Sequence, residues 1–300
     1  MKKLLLLLLC VPLIGFGQTA YDYYEKANNY RANGEYQLSI DNYTKAIRID
    51  PDFAIAYLFR GNSYVDLELY KEALDDYARA IRIDPDDAYS YYTRGNAYRD
   101  LNKYKDAIDD YTRSIKVDPE YIFGYLDRGN LYMDLELYED AIADFTKAIR
   151  IDPDYAKAYN SRGWSYYNLE DYNDAIEDYT RAIRIDPDFA SAYYNRGAAY
   201  KQLGNYEDAI DDYTRAIRID PDDADAYYNR GNIYGRDLGN YEDAIADYTR
   251  AIKINPDFAI AYGNRGLAKE KSGLPYCADY KKACDLGQER SCEWYSSDCR

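Results

Sequence analysis

Residues 190–223 hold two runs in which apolar and small residues recur at steps of three and four. In "ASAYYNRGAAYKQLG", Tyr193, Gly197 and Tyr200 fall on one face of a helix. In "NYEDAIDDYTRAIRIDPDD", Ala209, Ile210, Tyr213, Ala216 and Ile217 do the same. Gly204-Asn205 interrupts the pattern between the runs. Asp220-Pro221 ends the second run, because a proline cannot continue a helix. The segment predicts a helical hairpin.

The hairpin repeats. Pro51, Pro85, Pro119, Pro153, Pro187, Pro221 and Pro256 each follow Asp or Asn, 34 residues apart five times and then 35. A fixed period of this size marks an array of supersecondary units. The pattern places the extra residue in the turn "YGRDLGNY" (234–241), where the preceding unit reads "YKQLGNY". An Asp beside Pro also suits the cap and first turn of the following helix. Small residues form columns: Gly61, Gly95, Gly129, Gly163, Gly197, Gly231 and Gly266, then Ala73, Ala107, Ala141, Ala175, Ala209 and Ala244. Glycine inside a helix costs about 1 kcal/mol relative to alanine. Its recurrence predicts a bulky ring against the backbone at each position.

These columns, with an early aromatic (Tyr57, Tyr91, Tyr159), a second tyrosine, an Ala-rich second helix and a terminal proline, resemble the tetratricopeptide repeat family. The resemblance implies an all-α, right-handed superhelical solenoid of antiparallel helical hairpins. Seven units are expected over 18–258, at 20–53, 54–87, 88–121, 122–155, 156–189, 190–223 and 224–258, with a truncated eighth in 259–300. One column departs from the family. Arg60, Arg94, Arg128, Arg162, Arg196, Arg230 and Arg265 stand where a leucine is common.

Tyrosine is the compositional anomaly, at 40 residues, while histidine is absent. Four columns at the repeat spacing, starting from Tyr23, Tyr30, Tyr36 and Tyr43, absorb 28 of the 40. Their rings can pack while their hydroxyls reach the hairpin edges. The arginine column invites two readings, a basic ladder for an acidic ligand or structural pairs with Asp76, Asp110, Asp144, Asp178, Asp212 and Asp247. The shared period favours the pairs. The "DPDD" stretches lack the glycine turn and bidentate acid of a calcium loop, and fit helix capping instead. Without histidine the usual general base and the commonest zinc ligand are missing. The carboxylates recur at repeat positions and not as one unique pair, so no enzyme, cofactor or metal is expected.

The resemblance assigns the first helix of each hairpin to an inner groove that takes extended peptides. It carries over onto Asn28, Asn62, Asn96, Asn130 and Asn232, with Trp164 and Ala198 interrupting the column. Tyr24, Tyr92, Tyr194 and Tyr228 lie beside it, and Arg31, Arg99 and Tyr167 one turn further on. An asparagine amide both donates to and accepts from a peptide backbone, so a ladder of them holds an extended chain without reading its sequence. These positions are expected to be surplus to hairpin packing. The partner expected is another protein or an extended peptide, not a small-molecule substrate. The alternative is a self-associating structural or spacer subunit.

Residues 1–17 read as a secretory leader: Lys2 and Lys3, an apolar run from Leu4 to Ile14 interrupted by Pro12, then Gly15-Phe16-Gly17 before Gln18. Leu9 is too bulky for a lipidation signal at Cys10. The run is too short to span a bilayer comfortably, and no later segment is apolar enough, so no membrane insertion is expected. Losing the leader makes the chain two charges more acidic than the −16 of the whole. Such a chain repels nucleic acid and anionic membrane surfaces. The expected location is the periplasm, the cell envelope or outside the cell, where paired cysteines persist.

Cys277, Cys284, Cys292 and Cys299 crowd the end of the chain. Aligned on Ala-Asp-Tyr, Cys277 and Cys284 take the places of Ile245 and Ile252. Each seven-residue spacing is about two helical turns, about 10.5 Å, too far for a bridge within one helix. Two antiparallel helices joined near Gly287-Gln288 place residue numbers of equal sum opposite each other. The expected pairs are Cys277–Cys299 and Cys284–Cys292, stapling a C-terminal helical cap.

Overall fold

The computed structural model describes residues 18–299; the expected leader, 1–17, lies outside them. The regular structure of the described residues is helical, in two compact units that divide between Gly124 and Tyr125. In the first unit α1 (Ala20–Ala32) pairs with α2 (Tyr36–Ile49), α3 (Ala54–Val65) with α4 (Tyr70–Ile83), and α5 (Ala88–Asp100) with α6 (Tyr104–Val117). The division falls inside α7 (Ile122–Asp134). In the second unit α8 (Tyr138–Ile151) precedes the pairs α9 (Ala156–Asn168) with α10 (Tyr172–Ile185), and α11 (Ala190–Gln202) with α12 (Tyr206–Ile219). There follow α13 (Ala224–Asn232) with α14 (Tyr241–Ile254), α15 (Ala259–Lys271) with α16 (Cys277–Asp285), and a closing α17 (Glu289–Asp298). Each unit is an all-α solenoid of paired antiparallel helices, each pair packed on the next.

The chain reverses within a hairpin at one left-handed residue, such as Gly204 (φ 77°) or Glu68 (φ 59°). Between hairpins the Asp of the Asp-Pro step does not cap the next helix, as the sequence suggests. Its carboxylate instead accepts the backbone N–H two residues on, as Asp50 does from Asp52 and Asp220 from Asp222, closing an Asx turn. Side-chain caps come from the fourth residue of "DPDD": Asp87 accepts from Tyr89 and Ser90, and Asp223 from Asp225 and Ala226.

The core is a column of tyrosines. Tyr43, Tyr77, Tyr111, Tyr179, Tyr213, Tyr248 and Tyr280, with Phe145, are almost fully buried beside fully buried alanines. The glycine column makes room for them. A Cβ on Gly61 would lie 2.6 Å from the Tyr77 ring, and one on Gly163 would lie 2.8 Å from Tyr179. Gly61→Ala should therefore destabilise the first unit by about 1–3 kcal/mol, even though alanine is the better helix former. Urea melts check this, and a variant as stable as its parent would show that the ring can step aside.

The extra residue of the 35-residue interval sits inside a helix and not in the turn. α13 ends in a π-helical stretch, Ile233–Asp237, where wider hydrogen-bonded rings absorb one residue. That keeps Arg230 and Asp247 paired although they are one residue further apart than their equivalents.

α17 repeats the register of a first helix. Its third residue, Ser291, is fully buried, as are Ala158, Ala192, Ala226 and Ala261 at the third position of α9, α11, α13 and α15. Cys292 occupies the fourth position, held by tyrosine in those helices. Cys277–Cys299 and Cys284–Cys292 join α16 to this segment, with Cα separations of 5.6 and 4.6 Å. The Tyr280 and Trp294 rings lie 5.1 Å apart across the same contact.

Candidate functional site

The arginine column is consumed within the fold. Arg60 forks onto Asp76 through Nε and Nη2, both at 2.7 Å, and the same fork joins Arg94 to Asp110, Arg128 to Asp144, Arg162 to Asp178, Arg196 to Asp212 and Arg230 to Asp247. Arg265 does this with Asp279, the Asp of the last Ala-Asp-Tyr, only 14 residues on. The third nitrogen reaches back to the preceding hairpin: Nη1 of Arg196 donates to Thr180 Oγ1 at 2.9 Å, and Nη1 of Arg230 to Thr214 at 2.7 Å. The threonines recur with the repeat, at Thr44, Thr112, Thr146, Thr180, Thr214 and Thr249, with Ala78 interrupting. Tyrosines bracket the guanidinium of Arg60, Arg94 and Arg196, with Tyr193 and Tyr200 centred 5.7 and 5.8 Å from Arg196. Burial raises the Asp212 carboxyl above its ordinary value, against the opposing pull of Arg196. The pairs thus hold register at a desolvation cost.

No group of His, Cys, Asp and Glu among the described residues is arranged to hold a metal ion. Nor is any described helix long and apolar enough to cross a membrane. Carboxylates of the repeat serve as arginine partners (Asp76, Asp212), turn closers (Asp50, Asp220) and caps (Asp87, Asp223).

The asparagine column has a structural duty that its sequence position did not reveal. The buried Tyr77 hydroxyl donates to Asn62 Oδ1 at 2.7 Å, Tyr111 to Asn96 at 2.7 Å, Tyr43 to Asn28 at 2.5 Å and Tyr248 to Asn232 at 2.9 Å. The expectation that this column is surplus to packing is therefore corrected. The hydroxyl needs an acceptor, takes Oδ1, and so orients the amide with its nitrogen pointing away. Asn130 is exposed, and the ring at the corresponding place is Phe145, which has no hydroxyl to give.

The neighbouring tyrosines also pack. Tyr24 is 9% exposed among Tyr43, Phe53 and Phe59. Tyr92 meets Tyr111, Tyr121 and Phe123, while Tyr228 meets Tyr248 and Phe258. In the first unit Asn28, Arg31, Phe59 and Asp66 line a cleft of about 370 Å³, and Arg31, Asn62, Asn96 and Asp100 line a smaller one of about 130 Å³. Arg31 pairs there with Asp66 at 2.7 Å, and Arg99 with Asp100 at 3.1 Å.

In the second unit Trp164 and Tyr167 stack with centroids 5.5 Å apart and planes 9° from parallel. Tyr194 packs edge-on to Tyr213. Its hydroxyl is pushed up to about 12 by burial, with Asp225 and Asp223 adding to the effect. A second amide ladder, absent from the sequence reading, links successive first helices: Asn195 donates to Asn160, Asn229 to Tyr194, and Asn264 to both Tyr228 and Asn232.

Profiles of the tetratricopeptide repeat match residues 24–88 and 88–121, and a TPR repeat profile matches 129–170, 163–204, 199–237 and 236–273. No curated protein matches the chain significantly. Among solved structures, YrrB, described as a TPR protein with an unusual peptide-binding site, is 26% identical. The match covers 62% of this chain and 96% of that one, with a TM-score of 0.54. MamA is 31% identical over 59% of this chain and 96% of its own, with a TM-score of 0.52. The C-terminal part of a TPR protein from Cytophaga hutchinsonii shares the fold, with a TM-score of 0.69 at 17% identity over 80% of this chain and 98% of that one.

Proposed function

Because this chain belongs to the tetratricopeptide repeat family, we propose that it is a binding scaffold that holds an extended segment of another protein against the asparagine-bearing faces of its first helices. The observation that carries this reading is the fixed amide orientation. Tyr77 and Tyr111 hold Asn62 and Asn96 by Oδ1, so their nitrogens are preset to donate to a backbone carbonyl. The peptide-binding site ascribed to YrrB supports a similar use of the fold. Two disulfides and the leader-like first 17 residues support a place outside the cytoplasm.

Replacing these asparagines by alanine would strand buried hydroxyls at about 1–3 kcal/mol each, confounding binding with stability. Asn62→Asp with Asn96→Asp keeps the acceptor for each tyrosine and replaces the outward donor with a carboxylate oxygen that repels a backbone carbonyl. With a photo-crosslinker at Val65, a defined partner should be captured in cells by the parent chain and lost, at least tenfold, in this variant. Undiminished capture by the double variant would remove this face from the mechanism. Thiol labelling of fractionated cells tests the location: a cytoplasmic chain with free thiols would sink it.

A further inference from the structure

The threonine column has a gap, and the gap strands a donor. Arg60, Arg162, Arg196, Arg230 and Arg265 each donate from Nη1 to the threonine of the preceding hairpin, at 2.7–3.1 Å. For Arg94 that place is held by Ala78, which has no hydroxyl. Arg94 keeps its fork onto Asp110 through Nε and Nη2, while its Nη1 has no acceptor among the described residues. Its side chain is 20% exposed, against 15–18% for the other forked arginines, so solvent reaches it.

A cleft of about 410 Å³ opens at Ala78, in the size range of a small-molecule site. Tyr70, Leu74, Tyr98 and Leu101 give it apolar walls, and Lys71, Lys103 and Asp75 charge it. Among the described residues none of these three charges enters an ion pair. Lys103 Nζ lies 5.9 Å from the centre of the Tyr98 ring, and the Arg94 guanidinium lies 6.0 Å from the same ring. Both cations therefore meet at one wall.

The lysines break the repeat as well. At the other junctions the residues corresponding to Lys71 and Lys103 are Gln37 with Leu69, Lys105 with Leu137, Glu139 with Asp171, Asn173 with Asn205 and Glu207 with Asn240. The junction that joins two lysines is also the one that lacks the threonine. In a chain of net charge −16, its lining holds two ammonium groups against one carboxylate.

That lining selects on two counts. Its single positive excess balances a monoanion, and its rings and leucines reward an apolar body. A neutral ring would leave Arg94 Nη1 and the ammonium groups unpaired, and a bare inorganic ion would leave the walls uncovered. We propose that the cleft between α4 and the α5–α6 hairpin binds a small aromatic carboxylate. The carboxylate accepts from Arg94 Nη1 in place of the missing threonine and pairs with Lys71 and Lys103, charge-assisted bonds that neutral partners cannot match. Its ring covers Tyr70, Leu74 and Tyr98. None of these residues belongs to the asparagine column, so the site stands apart from the scaffold reading.

The test titrates the full chain with 2-naphthoate, 2-naphthamide, acetate and inorganic phosphate by calorimetry. Saturable binding of 2-naphthoate below about 1 mM is expected, at least tenfold tighter than each of the other three. Ala78→Thr gives Arg94 the hydroxyl its counterparts use. It should weaken 2-naphthoate at least tenfold without lowering the melting temperature, because the same residue fits the same place in the other second helices. Lys71→Gln with Lys103→Gln, both at exposed positions, should weaken it at least tenfold as well. Asn62→Asp with Asn96→Asp should leave it unchanged. No saturable 2-naphthoate binding, equal binding of the amide, acetate or phosphate, or indifference to Ala78→Thr would each overturn the inference. So would loss of binding in the asparagine variant, which would put the ligand on the other face. If Ala78→Thr proves unstable, the double lysine variant decides, and undiminished binding there overturns the inference.

Discussion

Arg196→Ala is expected to destabilise the second unit by about 3–5 kcal/mol, the cost of breaking one side of a buried ion pair. Asp212 accepts from Arg196 at 2.7 and 2.8 Å, and its side chain is 6% exposed. Without the guanidinium that carboxylate keeps its burial and loses its counter-charge. Thr180 and the rings of Tyr193 and Tyr200 lose their shared contact in the same step. Arg196→Lys should recover little, because an ammonium cannot reproduce the fork or lie between two rings. Replacing both partners with apolar residues, Arg196→Met with Asp212→Leu, should be close to neutral, since the pair already carries a desolvation cost.

The deficit should depend on pH. Burial already raises the Asp212 carboxyl, and removing Arg196 raises it further. A carboxyl raised in the fold contributes stability that is complete below its unfolded value, about 3.9, and lost as pH rises through the folded value. The gap between Arg196→Ala and its parent should therefore narrow as pH falls toward about 4. Urea melts at pH 7 and pH 4 measure both effects. A deficit under 1 kcal/mol at pH 7, or one that widens on acidification, would contradict the account.

Removing both disulfides, by Cys277→Ser with Cys284→Ser, is expected to take about 5 kcal/mol from the C-terminal end. The bridges close segments of 22 and 8 residues, and chain entropy assigns them about 3 and about 2.5 kcal/mol. The loss should stay local, because in a hairpin array each element touches mainly its neighbours. Amide exchange should speed up by more than tenfold in α16, α17 and the face of α15 that meets Gln288 and Ser291 near Gly263. α8 to α12 should keep their protection. Loss of protection throughout the unit would make the cap a global staple. Unchanged exchange in α15 to α17 would show that packing of Trp294 on Tyr280 suffices alone.

Much of this was readable because a repeat shows the same environment many times. One Arg in one helix says little, but a column of seven, six of them matched by an Asp of the same period, points to pairs. The glycine column announced a bulky neighbour before the Tyr77 ring was located, since nothing else justifies helical glycine at that frequency. The cysteine pairing followed from antiparallel geometry applied to two equal spacings. The asparagines were harder. Their period marked them as equivalent, but not as acceptors for tyrosines 15 or 16 residues on.

The sequence by itself determined the helices, the hairpin pairing, the core columns and the stapled end. All of these depend on periodicity and backbone chemistry, which act through residue type and spacing. Only the tertiary structure decided which polar atoms were already spent. It put the extra residue into a π-helical stretch, gave the Asn62 oxygen to Tyr77, tied Arg196 to Thr180, and left the Tyr179 hydroxyl with no acceptor beneath Trp164. A hydrogen bond is made or lost over a few tenths of an ångström between elements far apart in the chain, and no column of letters specifies distance that finely.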